Sequence, residues 1–332
     1  MLPGMKAVVI AGAGGTEVLE LREVGDPPCG PDEVLVRVRA SAMNRADLLQ
    51  RRGLYPAPSG SPANVPGLEF AGEVVSCGGR VESVRSGDRV MGILGGGGHA
   101  ERVALHERLC IPVPASLSFE EAAAVPEAFF TAFDALLRRA HLAPGEQVLV
   151  QAAASGVGTA ALQLARAAGA RVIALSRSAE KRERLAALGA EHVLDPAAPG
   201  LAEALRAACG ERGVDVVLEL LGGTALALSL EILAERGRIV VVGVMSGPAA
   251  TLDLRALMRK RATIEGTVLR SRPLEEKIAL SREFARTMLP LFEEGRLRPI
   301  VDRVFPLSEI AQAHALLESN RSFGKIVLRI TS

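Results

Sequence analysis

One stretch constrains this chain more than any other: Gln147-Val-Leu-Val-Gln-Ala-Ala-Ala-Ser-Gly-Val-Gly-Thr-Ala-Ala161. An apolar strand runs into a turn of small residues, and a helix begins at once. That arrangement lets the backbone approach a pyrophosphate. Amides at the helix N-terminus, around Val157 and Gly158, then face the negative charge. Ala161 stands where a Gly-x-Gly-x-x-Gly string has its last glycine, and a methyl group there still permits close helix–sheet packing. The same string also occurs as an ordinary tight strand-to-helix turn, so the surrounding pattern has to decide.

That pattern favours a dinucleotide. Ser118 with Glu121 three residues later is a helix start, and the periodicity stays helical over 126–140. From there strands at 147–151, 171–175, 193–194, 214–220, 237–243 and 263–268 alternate with helices at 158–168, 180–188, 201–209, 225–233 and 254–261. Several of these strands are nearly continuous apolar runs, as in a parallel sheet covered on both faces. This is a doubly wound α/β domain. The first third differs. Short strands at 6–10, 18–24, 34–40, 67–76, 89–91, 103–105 and 110–111 are separated by Gly and Pro turns, and 34–40 alternates at period two. An irregular or barrel-like β domain is expected there. After the alternation come a helix at 273–294, a strand at 301–305, a helix at 308–317 and a strand at 325–330. Pattern alone leaves open whether this tail extends the α/β domain or returns to the β domain.

Charge and cysteine usage narrow the partners. The 39 Lys and Arg nearly balance the 38 Asp and Glu, so nothing steers the chain toward nucleic acid or a membrane surface. No apolar run reaches 18 residues, the opening segment lacks the order of a signal peptide, and Cys29, Cys77, Cys110 and Cys209 form no Cys-x-x-Cys pair. A cytoplasmic protein without a disulfide scaffold is expected. The five histidines make no local ligand motif with a cysteine, and no metal site is expected.

Cofactor choice rests on the tip of the second strand. An unphosphorylated adenine ribose usually meets an Asp or Glu there. Here the strand ends Leu175-Ser176-Arg177-Ser178, with Lys181 and Arg182 one turn on. Such donors and charges suit a 2′-phosphate and point to NADPH. Glu180 and Glu183 are placed to blunt that charge. The loops at 219–223 and 243–247 each follow a strand and should line the ligand crevice.

Several segments carry a family resemblance: Ala42-Met-Asn-Arg-Ala-Asp-Leu-Leu-Gln-Arg-Arg-Gly-Leu-Tyr55, Pro66-Gly-Leu-Glu-Phe-Ala-Gly-Glu73, Gly95-Gly-Gly-Gly-His-Ala100, Ala123-Ala-Val-Pro-Glu-Ala-Phe-Phe-Thr-Ala-Phe133, Ser155-Gly-Val-Gly-Thr-Ala160 and Phe323-Gly-Lys-Ile-Val-Leu328. In that order they resemble the zinc-free quinone oxidoreductases of the medium-chain dehydrogenase/reductase superfamily. Within that family they resemble most the branch that holds the tumour-suppressor-inducible quinone oxidoreductase, with zeta-crystallin more distant. The resemblance implies a GroES-like β catalytic domain at 1–125, a Rossmann NADPH-binding domain at 126–268 and a return segment at 269–332 that completes the catalytic domain. It implies a cleft between the domains for cofactor and substrate, a homodimer joined through the cofactor domains, and no zinc. Zinc-using relatives carry a Cys in the region of Asn44-Arg-Ala-Asp47 and a Gly-His-Glu where this chain has Gly67-Leu-Glu69. For the interface strand, 238–242 and 263–268 are the candidates.

Carried over residue by residue, the resemblance places Asn44 and Tyr55 near the nicotinamide and the quinone, and Thr131 near the cofactor's reactive end. Ser155, Gly156, Val157 and Gly158 match the pyrophosphate turn. Ser176 and Lys181, with Arg177 beside them, match the phosphate-selecting loop. Gly243, Met245, Leu269, Arg270 and Asn320 match cofactor-side loops. Relatives of the zeta-crystallin type have a tyrosine where this chain has Leu49, which leaves Tyr55 as the only tyrosine. The implied reaction is metal-free hydride transfer from NADPH to a quinone, an ortho-quinone in the first instance. Asn44 or Thr131 would hydrogen-bond a developing oxyanion. Tyr55 would stack on a flat ring or donate a proton, stacking being preferred. Asp47, four residues before Arg51, reads as a structural i,i+4 partner. Two other readings stand beside this one: an NADPH-dependent enone or enoyl reductase, and a cofactor-binding protein with little turnover.

Overall fold

A computed structural model describes residues 4–331. The chain divides into two compact units. One gathers the residues up to Phe130 with those from Leu269 onward; the other is Thr131–Val268.

The first unit begins with the hairpin β1 (Gly4–Ile10) and β2 (Leu19–Gly25). It continues through β3 (Glu33–Ala42), α1 (Arg45–Arg51), β4 (Glu69–Cys77), β5 (Arg89–Ile93), β6 (Arg102–His106) and β7 (Ile111–Pro112). Helices α2 (Phe119–Ala123) and α3 (Pro126–Phe133) follow. The alternation read in β3 is real. Val34, Val36 and Val38 point inward, pack with Phe70, Val74, Val90 and Val103, and are essentially inaccessible. Ser118 Oγ accepts from Glu121 N and Ser118 N donates to the Glu121 carboxylate, which starts α2 as expected.

The second unit holds β8 (Gln147–Val150), α4 (Gly156–Ala167), β9 (Arg171–Leu175), α5 (Ala179–Ala187), β10 (His192–Leu194), α6 (Leu201–Cys209), β11 (Val214–Glu219), α7 (Gly223–Ile232), β12 (Leu233–Val241), α8 (Leu254–Lys260) and β13 (Thr263–Gly266). Its six parallel strands lie in the order β10-β9-β8-β11-β12-β13. That is the doubly wound order, with the switch point between β8 and β11. The strands read as continuous apolar runs are buried on both faces: Leu149, Ile173, Val217 and Ile239 are at most 1% exposed. The tail then supplies α9 (Leu274–Glu293), β14 (Val301–Pro306), α10 (Ile310–Glu318) and β15 (Lys325–Arg329). β15 pairs antiparallel with β3, so the tail returns to the β unit. The seven-stranded sheet runs β14-β15-β3-β4-β5-β7, with β6 also on β3.

Three local expectations need correction. The helix over 126–140 changes to a π-helical turn at Asp134–Arg139. Buried Asp134 holds that turn by accepting from Arg139 Nε and Thr267 Oγ1, both at 2.8 Å. The strand expected at 237–243 starts at Leu233, and left-handed Arg236 (φ 60°) takes up the extra residues, so β11 meets Leu233 and then jumps to Arg238. β12 is also paired on both sides, so of the two interface candidates only β13 has an unpaired edge. No helix among the described residues is long and apolar enough to cross a membrane.

Candidate active site

The phosphate turn is built by close backbone approach. A Cβ on Gly158 would lie 2.5 Å from the Ala153 carbonyl oxygen and 2.6 Å from its carbon, so no side chain fits. Ser155 is the N-cap of α4, and its Oγ accepts from Gly158 N at 3.0 Å. This corrects the expectation for the Gly158 amide. The first-turn amides without a partner among the described residues are those of Gly156 and Val157, both partly exposed. Two free amides at the start of a 12-residue helix, over a cradle that a Cβ would fill, fit a pyrophosphate. Ala152, three residues before the cap, is left-handed (φ 43°) although it carries a methyl group. Ala152→Gly is therefore expected to stabilise the protein by about 0.5–1 kcal/mol, read as a higher melting temperature. An unchanged or lower value would refute strain at this turn.

At the tip of β9, Ser176 is nearly buried and Arg177 is exposed. Ser178 Oγ caps α5 by accepting from Lys181 N. Arg182 does not face outward: its guanidinium bonds the carbonyls of Ser176 and Arg177 and the Asp195 carboxylate, bracing the loop from within. The loop therefore presents Arg177 as its exposed cation, and Glu180 and Glu183 form no ion pair with it.

Beyond β11, buried Glu219 organises the next loop. Its Oε1 accepts from Leu221 N (2.8 Å) and Gly222 N (3.1 Å), and its Oε2 accepts from Ser229 Oγ (2.8 Å). Gly243 follows β12 and donates to the Glu219 carbonyl, and Met245 is half exposed. Thr131, on α3, is 6% exposed, and its hydroxyl bonds to nothing among the described residues.

The first unit contains a polar cluster whose centre is Glu69, fully buried on β4. Its Oε1 accepts from Lys325 Nζ (2.7 Å) and Asn44 Nδ2 (2.8 Å), and its Oε2 accepts from Glu127 N (2.8 Å). Lys325 Nζ also donates to Asn44 Oδ1 and the Met43 carbonyl, each at 2.7 Å. Asn44 Nδ2 reaches the Ala42 carbonyl as well. Both amide hydrogens of Asn44 are thus engaged, and Asn44 is a fixed strut rather than a free donor. Lys325 enters from β15, Glu69 from β4 and Asn44 from the cap of α1 just past β3, so three strands must pair before the charges meet.

Tyr55 is half-buried, with the Arg270 guanidinium 5.0 Å over its ring. Burial pushes its phenol above the ordinary value, and Arg270 offsets this only in part. Arg270 itself is buried and donates to Gly95 O (2.8 Å), Tyr55 O (3.1 Å) and Gln50 Oε1 (2.6 Å). It ties α1 and two loops of its own unit together. Leu269 beside it is buried, while Asn320 is exposed, left-handed (φ 59°) and bonded to Arg45.

The pairing of Asp47 with Arg51 is also corrected. Asp47 Oδ2 accepts from Asn44 N at 2.7 Å and Oδ1 from Gly67 N at 3.2 Å, and His99 Nε2 is 3.7 Å away. Burial alone would raise the Asp47 carboxyl, but His99 and these bonds hold it below its usual range. Arg51 points instead to Glu318, His314 and the Gly14 carbonyl. At the third position of a short helix, reaching back to the cap satisfies an orphan amide, which outweighs a pair four residues on.

Of the residues expected to matter, Asn44, Tyr55, Leu269, Arg270 and Asn320 fall in the first unit and the others in the second. Sequence reasoning passed over Glu69, Lys325 and Glu127. Two signals were available: an acid inside the apolar run Gly67–Ala71, and one of only five lysines inside the strand Lys325–Arg329. Among the described residues, no group of three or more His, Cys, Asp or Glu is arranged to hold a metal.

A doubly wound dinucleotide sheet set into a GroES-like β unit defines a medium-chain dehydrogenase/reductase. Residues 30–115 match the alcohol dehydrogenase GroES-like domain family and residues 156–291 the zinc-binding dehydrogenase family. The quinone oxidoreductase of Lama guanicoe is 34% identical over 98% of this chain and 97% of its own. A solved NAD-dependent alcohol dehydrogenase is 36% identical with a TM-score of 0.88, over 98% of this chain and all of that one. The CurK enoyl reductase is 28% identical with a TM-score of 0.86, over 98% and 99% of the two chains. The chain belongs to the medium-chain dehydrogenase/reductase superfamily, among its quinone oxidoreductases, and is an NAD(P)-dependent oxidoreductase.

Proposed function

We propose that this protein is a metal-free NADPH:quinone oxidoreductase acting as a homodimer, with an ortho-quinone as acceptor. The observation that carries the reading is the phosphate turn, where the free Gly156 and Val157 amides lie over a cradle closed to any side chain at Gly158. Ser155, Gly156, Val157 and Gly158 would hold the pyrophosphate. Ser176, Arg177 and Lys181 would take the 2′-phosphate, which the absence of an acid at the β9 tip favours. Gly243, Met245, Leu269, Arg270 and Asn320 would border the rest of the cofactor, Arg270 acting through the segments it ties.

Bound NADPH supplies a hydride at nicotinamide C4. The chain's own residues bind and orient. Tyr55 offers a ring for a flat acceptor to stack on. Thr131 has a free hydroxyl and is the better donor to a developing oxyanion, because the donors of Asn44 are engaged. Asn44 keeps Lys325 and Glu69 in place. The homodimer would form at the edge of β13, which is unpaired among the described residues, so that a second copy extends the sheet.

The test is cofactor oxidation followed by absorbance, with metal-free protein, NADPH or NADH, and ortho-quinones, para-quinones or enones as acceptors. Saturable quinone-dependent oxidation of NADPH, much weaker with NADH, is expected, and light scattering should give twice the chain mass. Equal use of NADH would remove the phosphate-selecting role of Ser176, Arg177 and Lys181. Turnover of enones alone would favour the second reading, an enone or enoyl reductase, to which the likeness to CurK enoyl reductase lends support. Tight NADPH binding without turnover would favour a cofactor-binding protein.

A further inference from the structure

We propose that Glu127 is the proton donor of this site, the group that protonates the acceptor once the hydride has been transferred. This rests on the hydride-transfer reading above.

Glu127 is the second residue of α3, and its amide is anchored on buried Glu69 at 2.8 Å. Its main chain is therefore fixed, while the residue is only partly buried and its carboxyl makes no hydrogen bond or ion pair among the described residues. The other carboxyls of the cluster are engaged. Glu69 accepts from Lys325, Asn44 and the Glu127 amide. Asp47 accepts from Asn44 N and Gly67 N and is held low beside His99. The Tyr55 phenol is pushed up by burial and is a weaker acid still. Glu127 is thus the carboxyl in this cluster with its oxygens free to exchange a proton.

The groups around it come from several elements. Burial is the largest cause that raises the Glu127 carboxyl, Glu69 on β4 and Asp47 on α1 add to it, Lys325 on β15 and Arg270 before α9 pull it back, and together they leave it at about 8. Its charge also acts on Tyr55 and on half-buried Lys277 of α9. The start of α3 favours the anion, so the upward shift prevails against the helix dipole. At neutral pH the carboxyl is protonated, and it loses its proton as pH rises through about 8. Donation is therefore available below about pH 8 and lost above it.

The step balances simply. After hydride addition the acceptor carries a new electron pair, on oxygen for a quinone and delocalised onto the α-carbon for an enone. The Glu127 O–H bond breaks, its proton forms the new O–H or C–H bond, and the electron pair stays on Glu127 as carboxylate. Solvent then reprotonates it. The oxyanion of a reduced quinone exchanges readily with water, whereas a carbon does not, so the enone depends on the donor more.

The test compares wild type with Glu127→Gln on a simple enone, 1-octen-3-one, and an ortho-quinone, 9,10-phenanthrenequinone. Glu127→Gln should lower kcat for the enone about 10²–10⁴-fold, lower quinone turnover far less, and leave the NADPH Kd within about twofold. Wild-type enone turnover should fall above about pH 8, and that limb should be absent in the variant. Infrared titration of cofactor-free wild type provides a readout independent of turnover and of any variant's folding. A protonated carboxyl band should vanish near pH 8 and be missing in Glu127→Gln. Enone turnover at the wild-type level in the variant, or a band lost in the ordinary carboxylate range, would overturn the proposal. Wild type inert with every acceptor would overturn the hydride-transfer reading and this step together; active wild type with an unaffected variant would overturn this step alone.

Discussion

Replacing Lys325 with methionine should destabilise the protein by about 3–5 kcal/mol, one of the largest single-residue effects expected outside the apolar core. Lys325 is 5% exposed and Glu69 is inaccessible, and their oxygen–nitrogen distance is 2.7 Å. Removing the ammonium leaves a buried carboxylate with only the neutral donors of Asn44 and the Glu127 amide. It also strips the Asn44 carbonyl of its donor, so the strut loosens with the charge. Urea unfolding of the variant measures the loss. The double variant Glu69→Gln with Lys325→Met should recover much of it, because neither charge is then stranded. A single variant within about 1 kcal/mol of wild type would show that water already reaches the pair.

A methyl group at Gly158 should have its largest effect on the cofactor. In Gly158→Ala the new Cβ meets backbone rather than a movable side chain, at 2.5 Å from Ala153 O and 2.6 Å from Ala153 Cα. Either the turn or the start of α4 must shift. The Gly156 and Val157 amides shift with it. A charge-assisted hydrogen bond contributes about 1.5–3 kcal/mol, and losing two should raise the NADPH Kd at least about a hundredfold. Calorimetric titration reads this directly. Gly266→Ala is the control, since nothing lies within 4 Å of its Cβ position, and it should bind as wild type does. Equal affinities for the two variants would remove the turn from the cofactor site.

The two sites differ in how far the sequence revealed them, and the difference has a physical cause. The phosphate turn is local. Strand, small-residue turn, cap and helix follow one another between Gln147 and Ala167, and each is selected by backbone sterics over a few residues. Hence the cap at Ser155 and the close approach at Gly158 were legible, whereas the Gly158 amide is taken by that cap. The Glu69 cluster is assembled from the turn between β3 and α1, β4, α3 and β15, residues up to 282 positions apart. No short motif encodes such a meeting. The same reasoning explains Asp47, whose spacing to Arg51 suggested a helical pair until the cap and the Gly67 loop claimed its oxygens.

The sequence by itself determined the alternation of strands and helices in the second unit, the helix-start signal at Ser118 and the small-residue turn before α4, because hydrophobic period and cap chemistry act within a few residues. Only tertiary structure decided that β15 closes on β3, that β12 lies inside the sheet and leaves β13 an open edge, and that Glu127 keeps its carboxyl free while Glu69 is saturated. These outcomes depend on which strands pair and which charges share a buried volume, and those are set by long-range packing rather than by spacing along the chain.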